Sequence, residues 1–354
     1  MNLKAGNTET KNVLKNTFSN EKIRRFLTKY TICPVLILII IFASIVTDNF
    51  FSADNLLNVL RQVATNGIIA IGMTYVILTA GIDISVGSIV GFASIVFAGC
   101  FQPSGLVGPV AGIVSVINRI MPHDHVLCII IASVFVLFLC ALLGLINGVG
   151  ISKGKLPPFI MTMGTLTMIK GFALLVCEDK PLFMDVSIRS QINWLGSGRV
   201  LGIPNPVIVY AIVTVIFVII LTKTVFGRYI RAIGGNEEAA RVAGINVSKY
   251  TTIVYIISAV LAGLAGILIT CRTATGEPTL GTSYEQDAIA ATVIGGTLLT
   301  GGVGGMYGTI FGVLIIGVIN NVLNLTNVSP DFQYVVKGLI IVVAVAIRTD
   351  RKKK

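Results

Sequence analysis

Val207-Ile-Val-Tyr-Ala-Ile-Val-Thr-Val-Ile-Phe-Val-Ile-Ile-Leu-Thr222 runs apolar almost without interruption. A short junction leads to Gly227-Arg-Tyr-Ile-Arg-Ala-Ile-Gly-Gly-Asn-Glu-Glu-Ala-Ala-Arg-Val-Ala-Gly-Ile-Asn246, and the chain is apolar again from Thr251 to Ile269. The flanking runs have the length of bilayer-crossing helices, which need roughly 17–25 apolar residues. The island between them reads as a short capped helix. Gly234-Gly235 make a turn, Asn236 is the N-cap, and Glu237 and Glu238 put negative charge on the first turn. Arg241 pairs with Glu237 four residues earlier, and Gly244 ends the helix beyond Ala239 and Ala240. Isolated helices below ~12–15 residues are marginal in water, so this one needs a surface to dock on, that of a partner or else only its own chain.

Composition extends that reading to the whole chain. Of its 354 residues 54% are hydrophobic and only 12% charged, and the mean hydropathy is +0.89. Repeated apolar runs of spanning length make it an all-α polytopic membrane protein, because in lipid the backbone must satisfy its own hydrogen bonds. The net charge of +11 would point to nucleic acid in a soluble chain. Here it follows from loop asymmetry, and no nucleic-acid partner is expected. The six cysteines lie in or beside apolar runs without a C-x-x-C spacing, so neither zinc nor redox chemistry is supported. His123, Asp124 and His125 share one loop with no further ligand nearby, and no metal site is expected. The first thirty residues lack the pattern of a signal peptide.

The runs define about ten spans, near residues 31–46, 63–80, 88–100, 126–149, 156–176, 207–222, 251–269, 289–299, 307–325 and 333–347. Residues 1–29 form a basic arm, 30–347 the membrane domain with a polar loop at about 223–250, and 348–354 a basic tail. Alternation puts both termini and the polar island on one side, with Lys153, Lys155, Lys223, Arg228, Arg231, Arg241, Lys249 and the basic ends. The opposite loops hold only Arg61, Arg119, Lys180, Arg189, Arg199 and Arg272, so the island side is cytoplasmic. Lys170 and Lys337 fall inside spans, where each can snorkel outward.

Gly144-Leu-Ile-Asn147 precedes Pro157 as Gly317-Val-Ile-Asn320 precedes Pro330. This registers span four on span nine, and the odd offset makes spans 2–5 and 7–10 an inverted repeat, a transporter architecture. No nucleotide-binding loop is present, so ATP, if used, is bound elsewhere. Asp83 sits at a span boundary and Asp287 near an outer end, which leaves no mid-membrane acid for a proton-coupled carrier. Asp83 or Ser85 can cap span three, with Gly81, Gly87 and Ser88 around its start. Gly304, Gly308 and Gly312 form a packing stripe.

Several blocks carry a resemblance. Ile68 through Gly81-Ile-Asp-Ile-Ser-Val-Gly-Ser88 resembles the signature of bacterial monosaccharide ABC-importer permeases. The island is similar to that family's Glu-Ala-Ala coupling loop, here Glu238-Ala-Ala240 with Gly244. Tyr284–Ala291 and the segment from Asn320-Asn321 to Lys337-Gly338 also match, while the segment from about Phe101 to His125 is longer than the resemblance implies. The resemblance implies a homodimer of permeases in the bacterial cell membrane, ATP and Mg on a separate cytoplasmic ATPase, and an extracytoplasmic sugar-binding protein. Ribose is the expected sugar; galactose, another pentose or a furanosyl signal molecule stay open. The rival reading is a stand-alone secondary sugar carrier.

Asn320 and Asn324 share a face of span nine, and Gln333 and Tyr334 follow Pro330. Such groups suit sugar hydroxyls on a substrate path, or else satisfy backbone groups freed before Pro330. The topology predicts that Lys352→Cys is labelled by an impermeant thiol reagent only from the cytoplasm and Ser197→Cys only from outside. Labelling of both from one side would reject it.

Overall fold

The computed structural model describes residues 32–120, 125–184 and 186–350; the basic arm, His123 and Asp124 lie outside them. Its helices are α1 (Ile32–Val46), α2 (Ala53–Leu78), α3 (Val86–Phe101), α4 (Gly108–Ile120), α5 (His125–Ser152), α6 (Pro158–Val176), α7 (Val186–Ser197) and α8 (Asn205–Lys223). They continue as α9 (Val225–Gly235), α10 (Glu237–Val242), α11 (Val247–Thr273), α12 (Tyr284–Ile294), α13 (Met306–Leu325) and α14 (Pro330–Asp350). Among the described residues six helices are long and apolar enough to cross a membrane: α2, α5, α6, α8, α11 and α13. The protein is an all-helical, multi-pass membrane protein.

Two long helices form the centre. α11 packs on α2, α3, α5 and α7, while α2 packs in turn on α8, α12 and α13. Small residues let these backbones close: a Cβ on Gly72 would stand 2.9 Å from Ser258 Cα, and one on Gly266 2.6 Å from the Val90 carbonyl. Outward faces of α5, α6 and α14 carry Phe138, Ile160, Met163 and Leu339, exposed as lipid-facing side chains are.

Each long helix ends in a break. After α2 the chain passes through Ala80 (φ 60°) and reaches α3; after α11 it passes through Ala274 (φ 52°) and reaches α12. The second break is stitched by a two-residue antiparallel pairing of Thr275–Gly276 with Leu182–Phe183. A third break, residues 295–305, follows α12. It corrects the expected span at 289–299: positive φ at Gly296, Gly301, Gly302 and Gly304 ends the helix at Ile294.

Other boundaries move for local reasons. α2 starts at Ala53 instead of near Val63, because Ser52 Oγ accepts from the Asn55 N–H at 3.3 Å and nucleates polar turns ahead of the apolar ones. The loop expected after Phe101 contains α4, whose Val114 is buried and whose Asn118 Nδ2 donates to the Cys100 carbonyl at 2.6 Å. The loop after Glu178 contains α7. α14 continues to Asp350, through the start of the expected tail.

Gly308 and Gly312 do serve packing: a Cβ on either would run into the Gly295 or Ala291 carbonyl of the facing α12. Gly304 precedes α13 and is not part of that stripe. Gly312→Leu should therefore lower the thermal midpoint of the detergent-solubilised protein, since overpacking costs roughly 1–3 kcal/mol. Gly164→Ala, where a Cβ meets nothing within 4 Å, should leave the midpoint unchanged or raised.

Candidate functional site

The polar island folds as two helices. α8 stops at Lys223, and Thr224 turns extended and caps α9, its Oγ1 accepting from the Gly227 N–H at 3.4 Å. α9 buries Gly227, Ile230, Ile233 and Gly234 along one face. Gly234 and Gly235 are its last residues, where the sequence reading has a turn. A side chain at Gly234 would collide with the Leu78 carbonyl, so only glycine lets α9 close on the end of α2. The Gly302 N–H also donates to that carbonyl at 3.0 Å. The tip of α9, the α2–α3 break and the 295–305 loop therefore meet at one junction.

α10 follows with both ends closed. Asn236 Oδ1 accepts from the Ala239 N–H at 2.9 Å. At the other end Gly244 adopts φ 82°, its N–H donates to the Arg241 carbonyl and the Ile245 N–H to Ala240, each at 3.0 Å. This is a Schellman closure. Arg241 binds Glu237 at 2.6 Å and Glu238 at 3.0 Å, but all three side chains are more than half exposed and add little stability. Only Ala240 is buried, while Val242 is 84% exposed. α10 is thus rigid in itself and open along its outer face.

The stretch from Gly81 to Ser88 forms a buried polar knot. Asp83 is fully buried; its Oδ1 accepts from the Ser85 N–H (3.1 Å) and Oγ (2.6 Å), and its Oδ2 from Ser258 Oγ on α11 at 2.8 Å. Asn147 Nδ2 of α5 donates to Ser85 Oγ at 2.9 Å, and Ser88 Oγ donates to the Ser85 carbonyl at 2.8 Å. Ser85 holds the N-cap position of α3 without capping it, because its hydroxyl is committed to Asp83. Gly81 and Gly87 admit the Tyr255 hydroxyl and the Glu285 carboxylate, which a Cβ would displace.

A second knot lies on α12. Asp287, 3% exposed, is bound by Lys337 Nζ at 3.0 Å and by Asn320 Nδ2 at 3.0 Å. Both acids are therefore buried and held by protein partners. Lys337 turns inward to its partner and does not snorkel, since α14 packs on α12 there.

The expected path residues separate. Asn320 is committed to Asp287. Gln333 Nε2 donates to Asn324 Oδ1 at 3.0 Å and to the Val328 carbonyl at 3.1 Å, which satisfies the turn before α14. Tyr334 points away from the core, half exposed. Asn324 alone lines a cavity of about 400 Å³, together with Asn55, Asn58, Gln62, Arg272, Asn321 and Leu325. The sequence reading missed these partners by starting the second span near Val63. Their signal was the i, i+3, i+7 spacing of Asn55, Asn58 and Gln62 behind a serine cap. The cavity opens at the first turns of α2, whose 26 residues rise roughly 39 Å from there to the α9 junction.

Residues 55–345 match the family described as "Branched-chain amino acid transport system / permease component". The chain belongs to that permease family. It is 42% identical to the ribose import permease of Haemophilus influenzae, over 94% of this chain and 97% of that one. The ribose import permease of Bacillus subtilis is 44% identical over 90% of this chain and 91% of its own. The galactose/methyl galactoside import permease of Salmonella typhimurium is 36% identical over 90% and 92%. No solved structure matches this chain.

The second knot carries a stability prediction. Lys337→Met strands a buried carboxylate, and breaking such a pair costs about 3–5 kcal/mol. Thermal unfolding in detergent should show a large drop for Lys337→Met and a smaller one for Asp287→Asn with Lys337→Met. An equal drop in both would deny the coupling.

Proposed function

We propose that this chain is the membrane-spanning subunit of an ATP-driven monosaccharide importer with ribose as its sugar. Two copies would assemble with separate ATPase subunits, which bind ATP and Mg, and with an extracytoplasmic sugar-binding protein. The observation that carries the reading is α10: a six-residue helix, capped at both ends, whose Glu237, Glu238, Arg241 and Val242 are left open in a chain over 40% identical to ribose import permeases. Such a helix is built to be held by another protein. The ATPase is its proposed partner, and Asn236, Glu237, Glu238, Ala239, Ala240, Arg241 and Gly244 form the coupling element.

The junction at Gly234 supports a mechanism. A push on α10 passes through α9 to the end of α2 and the 295–305 loop, where no helix absorbs it. ATP binding would draw the two ATPases together and move this junction, so that a central path opens alternately to each side. The basic loops on the α10 side support a cytoplasmic position for that side and both termini, with the permease in the bacterial cell membrane.

We count ten spans, with α2, α3, α5 and α6 inversely repeated in α11, α12, α13 and α14. Three likenesses support the repeat. Each long helix ends in an alanine at positive φ before a short helix, Ala80 and Ala274. Each long helix packs on the short helix and the third helix of the other half. And Asn147 and Asn320, aligned by sequence, each donate to a side chain at the start of their own short helix, Ser85 and Asp287. A proton-coupled stand-alone carrier would need a carboxyl free to load and unload. Asp287 is held by Lys337 and Asn320, and Asp83 by Ser85 and Ser258.

In proteoliposomes holding the permease, its ATPase and its binding protein, ribose should stimulate ATP hydrolysis and enter the lumen. Gly244→Val forces a β-branched residue to φ 82°; the strain, roughly 1–3 kcal/mol, opens the C-terminal closure of α10. Uptake should fall about ten-fold while the variant still folds into the membrane. Undiminished uptake would remove the coupling role of Gly244, and a wild-type importer indifferent to ribose would overturn the ribose reading.

A further inference from the structure

The cavity at the start of α2 has no part in the coupling element or in either buried knot. We infer that it is a holding station for one neutral monosaccharide, occupied before the sugar passes between the long helices. The inference rests on the transport reading above and adds to it the residues and the ligand chemistry.

Three helices supply the walls. Asn55, Asn58 and Gln62 come from one face of α2, Asn321 and Asn324 from one face of α13, and Arg272 from the end of α11. The volume, about 400 Å³, lies within the usual range of small-ligand sites. The floor is a reciprocal amide pair: Asn55 Nδ2 donates to Asn321 Oδ1 at 3.0 Å, and Asn321 Nδ2 to Asn55 Oδ1 at 2.7 Å. Both residues are buried, and Asn55 also donates to the Phe50 carbonyl at 2.9 Å. The pair closes the cavity toward the core, so a ligand entering from the open end stops there.

Above the floor two amide oxygens each already accept one protein hydrogen bond. Asn58 Oδ1 accepts from Arg61 Nη1 at 2.9 Å, and Asn324 Oδ1 from Gln333 Nε2 at 3.0 Å. A ligand can meet the amide nitrogens of Asn58 and Asn324, the second lone pair of each of their oxygens, both ends of Gln62, and the Arg272 guanidinium. Donors at several angles match the hydroxyl and ring oxygens of a sugar, and Gln62 can accept from a hydroxyl in return.

The same lining excludes other solutes. It contains no carboxylate to meet an ammonium group and, apart from Leu325, no large apolar side chain. A branched-chain amino acid, which the family description names, would find only neutral amide oxygens for its ammonium and would set its side chain among amides. The absence of an aromatic platform from the lining keeps the site weak, and a solute in transit must be able to leave.

Saturation-transfer NMR with D-ribose on the full-length permease in lipid nanodiscs tests this, with L-leucine as comparison. The wild type should transfer magnetisation to ribose and not to leucine. Asn58→Leu and Gln62→Leu should each cut the ribose signal about five-fold, the loss of one hydrogen bond. Their thermal midpoints should stay at the wild-type value, because Asn58 is exposed and Gln62 only half-buried. Asn58→Cys gives a second readout: D-ribose should slow its modification by a charged thiosulfonate, with five of the six native cysteines buried. A wild type silent toward ribose, variants that keep the full signal, a leucine signal, or modification indifferent to ribose would each overturn the holding station. None of these touches the transport reading, which stands or falls with ribose uptake by the assembled importer.

Discussion

A peptide group inside a bilayer has no water to bond, and this protein nonetheless interrupts its helices three times near its core. Each interruption survives because other chain segments supply the missing partners. At the first, the Asp83 carboxyl gathers Ser85 and Ser258, while Tyr255 and Thr162 donate to the Ile82 carbonyl. At the second, the outer segment Leu182–Phe183 pairs with Thr275–Gly276. At the third, the Gly302 N–H finds the Leu78 carbonyl at the end of α2. These contacts hold the breaks beside the short helices α3 and α12.

The breaks also decide where the protein can move. A continuous helix transmits a displacement along its axis, and a break allows the parts to shift separately. Two of the three breaks, 79–85 and 295–305, meet the tip of α9, whose Gly234 leaves no space between backbones. α10 hangs from that tip by Asn236 and is stiffened by its own caps. The polar segment between α8 and α11 thus touches the least helical part of the core through Gly234.

The buried charges follow the same economy of contacts. Lys337 and Asp287 pair across α12 and α14, and Asp83 is satisfied without a cation by hydroxyl and amide donors. A carboxylate so enclosed holds helices together.

Composition and apolar periodicity were enough to establish a helical membrane protein, and local chemistry was enough to describe α10. Asn236, the Glu237–Arg241 pair and Gly244 act within one turn of each other, so their roles follow from spacing. What only the tertiary structure decided were contacts between residues far apart in the chain. Nothing near Gly234 says that Leu78 will occupy the space a side chain would need. Nothing near Asn55 says that Asn321 will return its hydrogen bond, or near Lys337 that Asp287 waits on another helix. A helix face selects its neighbours by shape, through small residues such as Gly72, Gly308 and Gly312, and shape becomes complementary only when both surfaces are folded.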